Sequence, residues 1–273
     1  MAYKRILTVQ DISCVGQCSM TVALPILSAC GHEVCILPAA VLSTHTGGFG
    51  KPVVTNLTAS MDAIVAHWKA QNITFDAIYT GYLGSIEAIE AVSRIVDTLL
   101  SPEGKLIVDP AMADHGKLYS GLSEAYADAM QRLCLRADVM LPNITEAAMM
   151  AQMPYQEVPD EVYIRALLKR LGGKDVVLTG ASFVPEQTGA AIRSRGAVHF
   201  CFHDRVARSY HGTGDIFASA FTGAWLQEKT IAEAARIAAD YTYLCILNTF
   251  RNPAHWYGVK FETALPDLIE MLK

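Results

Sequence analysis

His211-Gly212-Thr213-Gly214-Asp215 stands directly before an apolar run, 216–225, of helical character. Two glycines let the backbone approach a ligand closely. Unpaired N–H groups at a helix start attract an anion, and the helix dipole reinforces them. A carboxylate in that first turn sits beside whatever anion binds. The arrangement suits phosphoryl transfer: the amides hold the moving phosphoryl charge, and Asp215 takes the proton from an attacking hydroxyl. The same residues also fit a plain helix start, with glycine in the loop and an acid favouring the dipole. The motif lies in the last third of the chain, so it is not a dinucleotide fingerprint following a first strand. The sequence also holds no GxxxxGKS or GxxxxGKT. A Rossmann dehydrogenase and a P-loop NTPase are both disfavoured.

The elements that must position this motif alternate. Short apolar runs at 5–10, 34–41, 77–82, 106–108, 139–141 and 176–179 read as strands. Helical stretches at 18–29, 59–71, 86–100, 123–135, 146–151 and 161–171 separate or follow them. This spacing predicts βαβ units and a parallel sheet. Runs such as Val176-Val177-Leu178 are apolar on both faces, as strands under helices on both sides must be. The rhythm then changes to an antiparallel hairpin, 190–195 and 198–203, turning at Gly196, and to two helices, 213–227 and 232–247.

In such a sheet, ligands sit beyond the carboxyl ends of the strands. Those ends are polar: Asp11; Ser43-Thr44-His45-Thr46; Thr80-Gly81-Tyr82-Leu83-Gly84; Asp109-Pro110; Pro142-Asn143; and Thr179-Gly180. Convergence of six such ends on one rim makes a site. Asn143 and Glu146 have the spacing of a capping box, and Asp109 and Asp114 bracket a Pro110 turn. His199, Cys201 and His203 share a strand face by period two; a half-buried face is a simpler reading than a metal site.

Composition narrows the classes. The 273 residues are 52% hydrophobic and 18% charged, enough to bury a large core, and one domain over 1–273 is expected. The net charge of −5, without a basic block, argues against nucleic acid. Mean hydropathy is +0.25, but every apolar run is broken before ~18 residues, so no membrane partner is expected. Residues 1–11 read as a strand rather than a signal peptide. Seven cysteines without CxxC fit reduced thiols in a cytoplasm.

A late GTGD opening a helix, with Asn143-Ile144-Thr145-Glu146 after a strand, is similar to the ribokinase-like superfamily. Within it the chain resembles the pyridoxal (vitamin B6) kinases through Ser43-Thr44-His45-Thr46-Gly47, Thr80-Gly81-Tyr82-Leu83-Gly84-Ser85, Asp109-Pro110-Ala111-Met112-Ala113-Asp114, Gly116-Lys117-Leu118-Tyr119 and Pro142-Asn143. These stretches run in the family's order over nearly the whole chain. The resemblance implies an α/β ribokinase-like fold: a central, mostly parallel sheet flanked by helices on both faces, with an antiparallel hairpin late in the chain. It implies an ATP-dependent kinase acting on the 5′-hydroxymethyl group of a B6 vitamer, with Mg2+, a monovalent cation (K+ or Na+) and a homodimer.

By the same resemblance, Asp215 is the general base, and Gly212, Thr213 and Gly214 form the anion hole. Asn143 and Glu146 organise Mg2+ largely through water, and Asp109 and Asp114 lie near phosphates and cations. Thr179 and Gly180 meet the nucleotide phosphates or the monovalent cation, and 116–119, ending at Tyr119, covers ATP. Asp11, Ser43, Thr46 and Tyr82 map to the ring pocket.

Many pyridoxal kinases carry Ser where this chain has Asp11. A carboxylate accepts only and favours a cationic partner, which would turn preference toward pyridoxamine or an aminopyrimidine alcohol. The segment after Asp114 has no Cys to hold an aldehyde, as some bacterial relatives do. Phosphomethylpyrimidine kinases share the fold, so a hydroxymethylpyrimidine or other small-alcohol kinase is an alternative, as is a non-catalytic vitamer-binding protein.

Overall fold

A computed structural model of the chain describes residues 2–252 and 254–273. Eleven strands and nine α-helices follow one another along it. The first half holds β1 (Arg5–Ser13), α1 (Met20–Ala29), β2 (Glu33–Leu42), β3 (Val54–Asn56), α2 (Thr58–Ala70), β4 (Phe75–Thr80), α3 (Ile86–Leu99), β5 (Leu100–Val108), β6 (Ala113–Asp114), β7 (Lys117–Leu118) and α4 (Glu124–Arg136). The second half holds β8 (Val139–Met140), α5 (Ile144–Met150), α6 (Glu161–Arg170), β9 (Asp175–Thr179), β10 (Gln187–Ser194), β11 (Ala197–Asp204), α7 (Thr213–Leu226), α8 (Ile231–Phe250), a 3-10 turn (Phe261–Ala264) and α9 (Leu265–Met271).

Nine of the strands form one sheet in the order β11-β10-β9-β8-β5-β4-β1-β2-β3. The stretch from β2 to β9 is parallel, and β3, β10 and β11 close its two edges by antiparallel pairing. The α/β reading with a late hairpin therefore holds. The chain leaves β1 toward β2 on one side and later crosses to β4 on the other. That reversal opens a crevice at the carboxyl ends of β1 and β4.

Strand residues alternate between two cores. Leu7, Val9 and Ile78 pack with α2 to α6 on one face. Ile6, Ala77 and Tyr79 pack with α1, α7 and α8 on the other. Neither face is left for water, which explains why these strands lack a polar period.

Side chains start most of the helices. Ser85 Oγ accepts the Ala88 N–H (3.1 Å), Asp160 Oδ1 accepts Tyr163 N–H (2.7 Å), and Thr230 with Glu233 forms a capping box. Helix α7 differs. Its cap is Gly212, which brings no side chain, so its first-turn amides remain open.

One local expectation needs correction, and some elements were not anticipated. The first strand does not end at Gln10: it runs to Ser13, and Asp11 lies inside it, where the pairing with β2 slips between Gln10 and Ile12. A bulge of this kind re-aims side chains beside a site. Residues 116–119 belong to a ribbon that the sequence reading did not anticipate: β6 and β7 pair as two short strands turned by His115 (φ 49°) and Gly116 (φ 76°). Edge strand β3 and the terminal α9 had no counterpart in the sequence reading.

Candidate active site

The crevice widens into a cavity of about 640 Å³. At one end lies the start of α7. Gly212 has φ +80°, and a Cβ there would fall 2.3 Å from the Gln17 carbonyl oxygen. Only glycine lets this loop lie against residues 14–19 while its amides face the cavity. Thr213, Gly214 and Asp215 continue the wall.

Enclosure away from water raises the carboxyl of Asp215 to about 7, and the charge of Asp11 adds to the effect. The Ser19 backbone amide opposes it by hydrogen bonding. Ser19 itself sits at φ 52°, ψ −130°, a conformation rare for a side-chain-bearing residue. In that position it lies beside both Asp11 and Asp215 and lowers the proton affinity of each, against the larger effect of burial.

Asp11 is 3% exposed. Ser13 Oγ donates to its Oδ2 (3.0 Å), yet burial still lifts its carboxyl above the ordinary value. Of the ion pairs among the described residues, none involves Asp11, Asp109, Glu146 or Asp215. No Lys or Arg lines the cavity, so its buried carboxyls are relieved by holding protons or by a cationic ligand.

Asp109 and Glu146 carry the clearest strain of that kind. Both are buried, and burial together with neighbouring carboxylates raises both. Glu146 is already spoken for: Oε2 accepts the Asn143 N–H (2.8 Å), and Oε1 accepts Met112 (2.9 Å) and Ala113 (3.4 Å). Asn143 returns the bond through Oδ1 to Glu146 N (3.0 Å) and donates Nδ2 to Ala113 O (2.7 Å). The capping box is real, and it also ties α5 to the β5–β6 turn. Asp109 Oδ1 accepts Ala111 N–H (3.2 Å), leaving Oδ2 without a protein donor.

Among the described residues no trio of His, Cys, Asp or Glu could cage a metal alone. The donor set nonetheless fits Mg2+. This cation keeps several waters and takes one or two carboxylates plus phosphate oxygens. Asp109 would hold it, and Glu146 and Asn143 would orient its waters.

Other expected residues lie on the same cavity. Thr46 and Tyr82 line it, as do Asp114, Tyr119, Thr179 and Gly180. Thr179 N–H donates to Pro142 O (2.8 Å), tying the β8 and β9 ends together. Tyr119 lies with its ring centroid 6.5 Å from that of Tyr82, so it borders the Tyr82 side of the cavity. Ser43 is the exception. It is exposed, and its Oγ accepts the Val53 N–H (3.0 Å), bracing the β2–β3 loop rather than lining the cavity.

Several wall residues were given no role in the sequence: Ser13 at the end of β1, Cys18 and Ser19 just after it, and His45, whose ring stands 4.7 Å from that of His211. Only His45 lay in one of the polar strand-end runs; the segment after Asp11 carried no such signal. Thr188, His203, Ala239, Thr242 and Ile246 from β10, β11 and α8 complete the wall. His203 stacks on Tyr243 at 4.7 Å, and Cys201 is buried in the core, so the period-two face is not a metal site.

The phosphomethylpyrimidine kinase family model matches residues 43–259. The chain belongs to that family. Its fold is that of a crystal structure of pyridoxal kinase from Lactobacillus plantarum: TM-score 0.90, 33% identity, 98% of this chain and 97% of that one covered. A putative phosphomethylpyrimidine kinase from Bacteroides thetaiotaomicron, crystallised with pyridoxal, gives TM-score 0.90 and 33% identity over 97% of this chain and 95% of that one. A pyridoxine/pyridoxal/pyridoxamine kinase of Bordetella pertussis is 27% identical over 86% of this chain and 85% of its own. The family match starts at residue 43, so Asp11 and Ser19 fall outside it.

Proposed function

We propose that this protein transfers the γ-phosphoryl group of ATP to the 5′-hydroxymethyl group of a B6 vitamer. The observation that carries the reading is Asp215: a carboxyl raised to about 7, in the first turn of a helix whose open amides face the same cavity. A base of that strength is matched to proton abstraction near neutral pH.

The vitamer ring lies between Asp11, Thr46 and Tyr82, with its hydroxymethyl group toward Asp215. Asp215 accepts the hydroxyl proton as the oxygen attacks. The amides of residues 212–214 hold the migrating phosphoryl charge without reorganising. When bound, Mg2+ neutralises the phosphate oxygens beside Asp109, Asn143 and Glu146. Thr179 and Gly180 meet the nucleotide phosphates or a monovalent cation, and the wall residues of β10, β11 and α8 take the adenine. Tyr119 and the β6–β7 ribbon cover the site from the Tyr82 side and limit water. We read the chain as one kinase unit. Its seven cysteines, all free among the described residues, suit a reducing cytoplasm.

A second reading has support of its own. The unpaired carboxylate of Asp11 suits an aminopyrimidine alcohol as well as a protonated pyridine. ADP release with Mg-ATP and pyridoxal, pyridoxine, pyridoxamine or hydroxymethylpyrimidine decides between them. Turnover of none of these, with ligand-induced stabilisation only, would mean a binding protein.

A further inference from the structure

Three loops border the cavity: 14–19 after β1, 43–53 between β2 and β3, and 205–212 between β11 and α7. One short segment, 254–258, supplies no wall residue yet touches all three. At the first loop, His255 Nε2 lies 3.1 Å from Gln17 Oε1. At the third, Arg208 donates to the His255 carbonyl oxygen (3.4 Å), and its guanidinium lies 5.0 Å over the ring of Tyr210, which lines the cavity.

The contact with the second loop is aromatic. Phe49 stands 4.7 Å from Trp256 and 5.2 Å from Tyr257, and these two rings meet edge-on at 5.1 Å. Gly48 has φ +85°, and a Cβ there would come 2.8 Å from the Trp256 ring, so the loop backbone is shaped to lie against that ring. Loop 43–53 carries His45 and Thr46 to the cavity wall. Trp256 is 51% exposed, so the pair can part without unfolding what lies beneath.

We propose that Trp256 is a positioning residue: through Phe49 it latches loop 43–53 over the alcohol end of the cavity, and release of this latch admits and frees the alcohol substrate. The alcohol itself is taken from the function proposed above; the latch rests on the contacts alone. Neither Trp256 nor Phe49 is among the wall residues of β10, β11 and α8 that the proposed function assigns to the nucleotide, so the latch is expected to leave ATP binding unchanged.

Two measurements on the full-length chain test this, using Trp256→Ala and Trp256→Phe. Hydrogen exchange without ligand should speed up across 43–53 in the Ala variant, leave β4 and β5 protected, and return toward wild type in the Phe variant. In turnover with the preferred alcohol, KM for that alcohol should rise ~3–10-fold in the Ala variant while KM for ATP stays within about twofold. Unchanged exchange over 43–53 overturns the latch whatever the substrate is. So does an unchanged alcohol KM, or an equal rise in both KM values. If the wild type turns over none of the alcohols, the kinase reading fails, and the exchange result still decides the latch.

Discussion

Ser19, at φ 52°, lies beside both Asp11 and Asp215 and offsets part of the effect of burial on each, so one strained residue neighbours two carboxyls of the cavity wall. The charge of Asp11 raises the proton affinity of Asp215, while Ser19 restrains both. The proposed ring pocket and the proposed base are therefore electrostatically linked, although Asp11 and Asp215 are 204 positions apart in the sequence (215 − 11).

Asp11→Ser should move selectivity. Removing a buried carboxylate that accepts from a cationic ligand should lower kcat/KM for pyridoxamine relative to pyridoxal by about tenfold, the worth of one charge-assisted bond. It should also lower the proton affinity of Asp215, so the acid limb of the rate profile moves to lower pH. Unchanged ratios across the vitamer panel and an unmoved limb would remove Asp11 from both roles.

Glu146→Gln tests the metal assignment. Glutamine cannot accept on both ends, so it disturbs the three backbone amides that Glu146 now gathers. The Mg2+ concentration for half-maximal rate should rise ~10–100-fold, with vitamer KM little changed. A rise in vitamer KM at saturating Mg2+ instead would place Glu146 in the substrate pocket.

Titration of Asp215 also makes a prediction about stability. Its carboxyl is raised in the fold, so the folded state holds its proton more tightly than the unfolded chain does. The stabilisation is complete below about pH 4 and is lost as pH rises through about 7. Asp215→Asn, which cannot ionise, should therefore melt ~2–6 °C higher than wild type at pH 8 and no higher at pH 4. Equal melting temperatures at pH 8 would mean that Asp215 ionises freely in the fold.

Much of the scaffold could be read from the residues because burial leaves a plain mark. Strands covered on both faces are apolar throughout, and helices such as Ile86–Leu99 carry a clear apolar stripe above a Ser85 cap. Strand β3 was invisible for the opposite reason: its three residues are all exposed and carry no pattern. The β6–β7 ribbon pairs only two residues a side, too few for a period. At the site, each strand-end run sends at least one residue to the cavity wall (Asp11, Thr46, Tyr82, Asp109, Asn143 and Thr179 among them), while Ser43, Thr44, Thr80, Gly81 and Leu83 from the same runs are not wall residues. Which neighbours turn inward depends on the β1 bulge and on the positive φ of Ser19, both consequences of packing against other parts of the chain. Likewise the meeting of Phe49 with Trp256 joins residues more than 200 apart, which no local pattern encodes.

The most direct test is vitamer-dependent ADP release by Asp215→Asn with Mg-ATP, alongside ATP binding measured separately. Loss of the base while the open amides of α7 remain should lower kcat about 100- to 10,000-fold and leave ATP affinity nearly unchanged. A variant that keeps kcat within about tenfold of wild type would contradict the assignment of proton abstraction to Asp215.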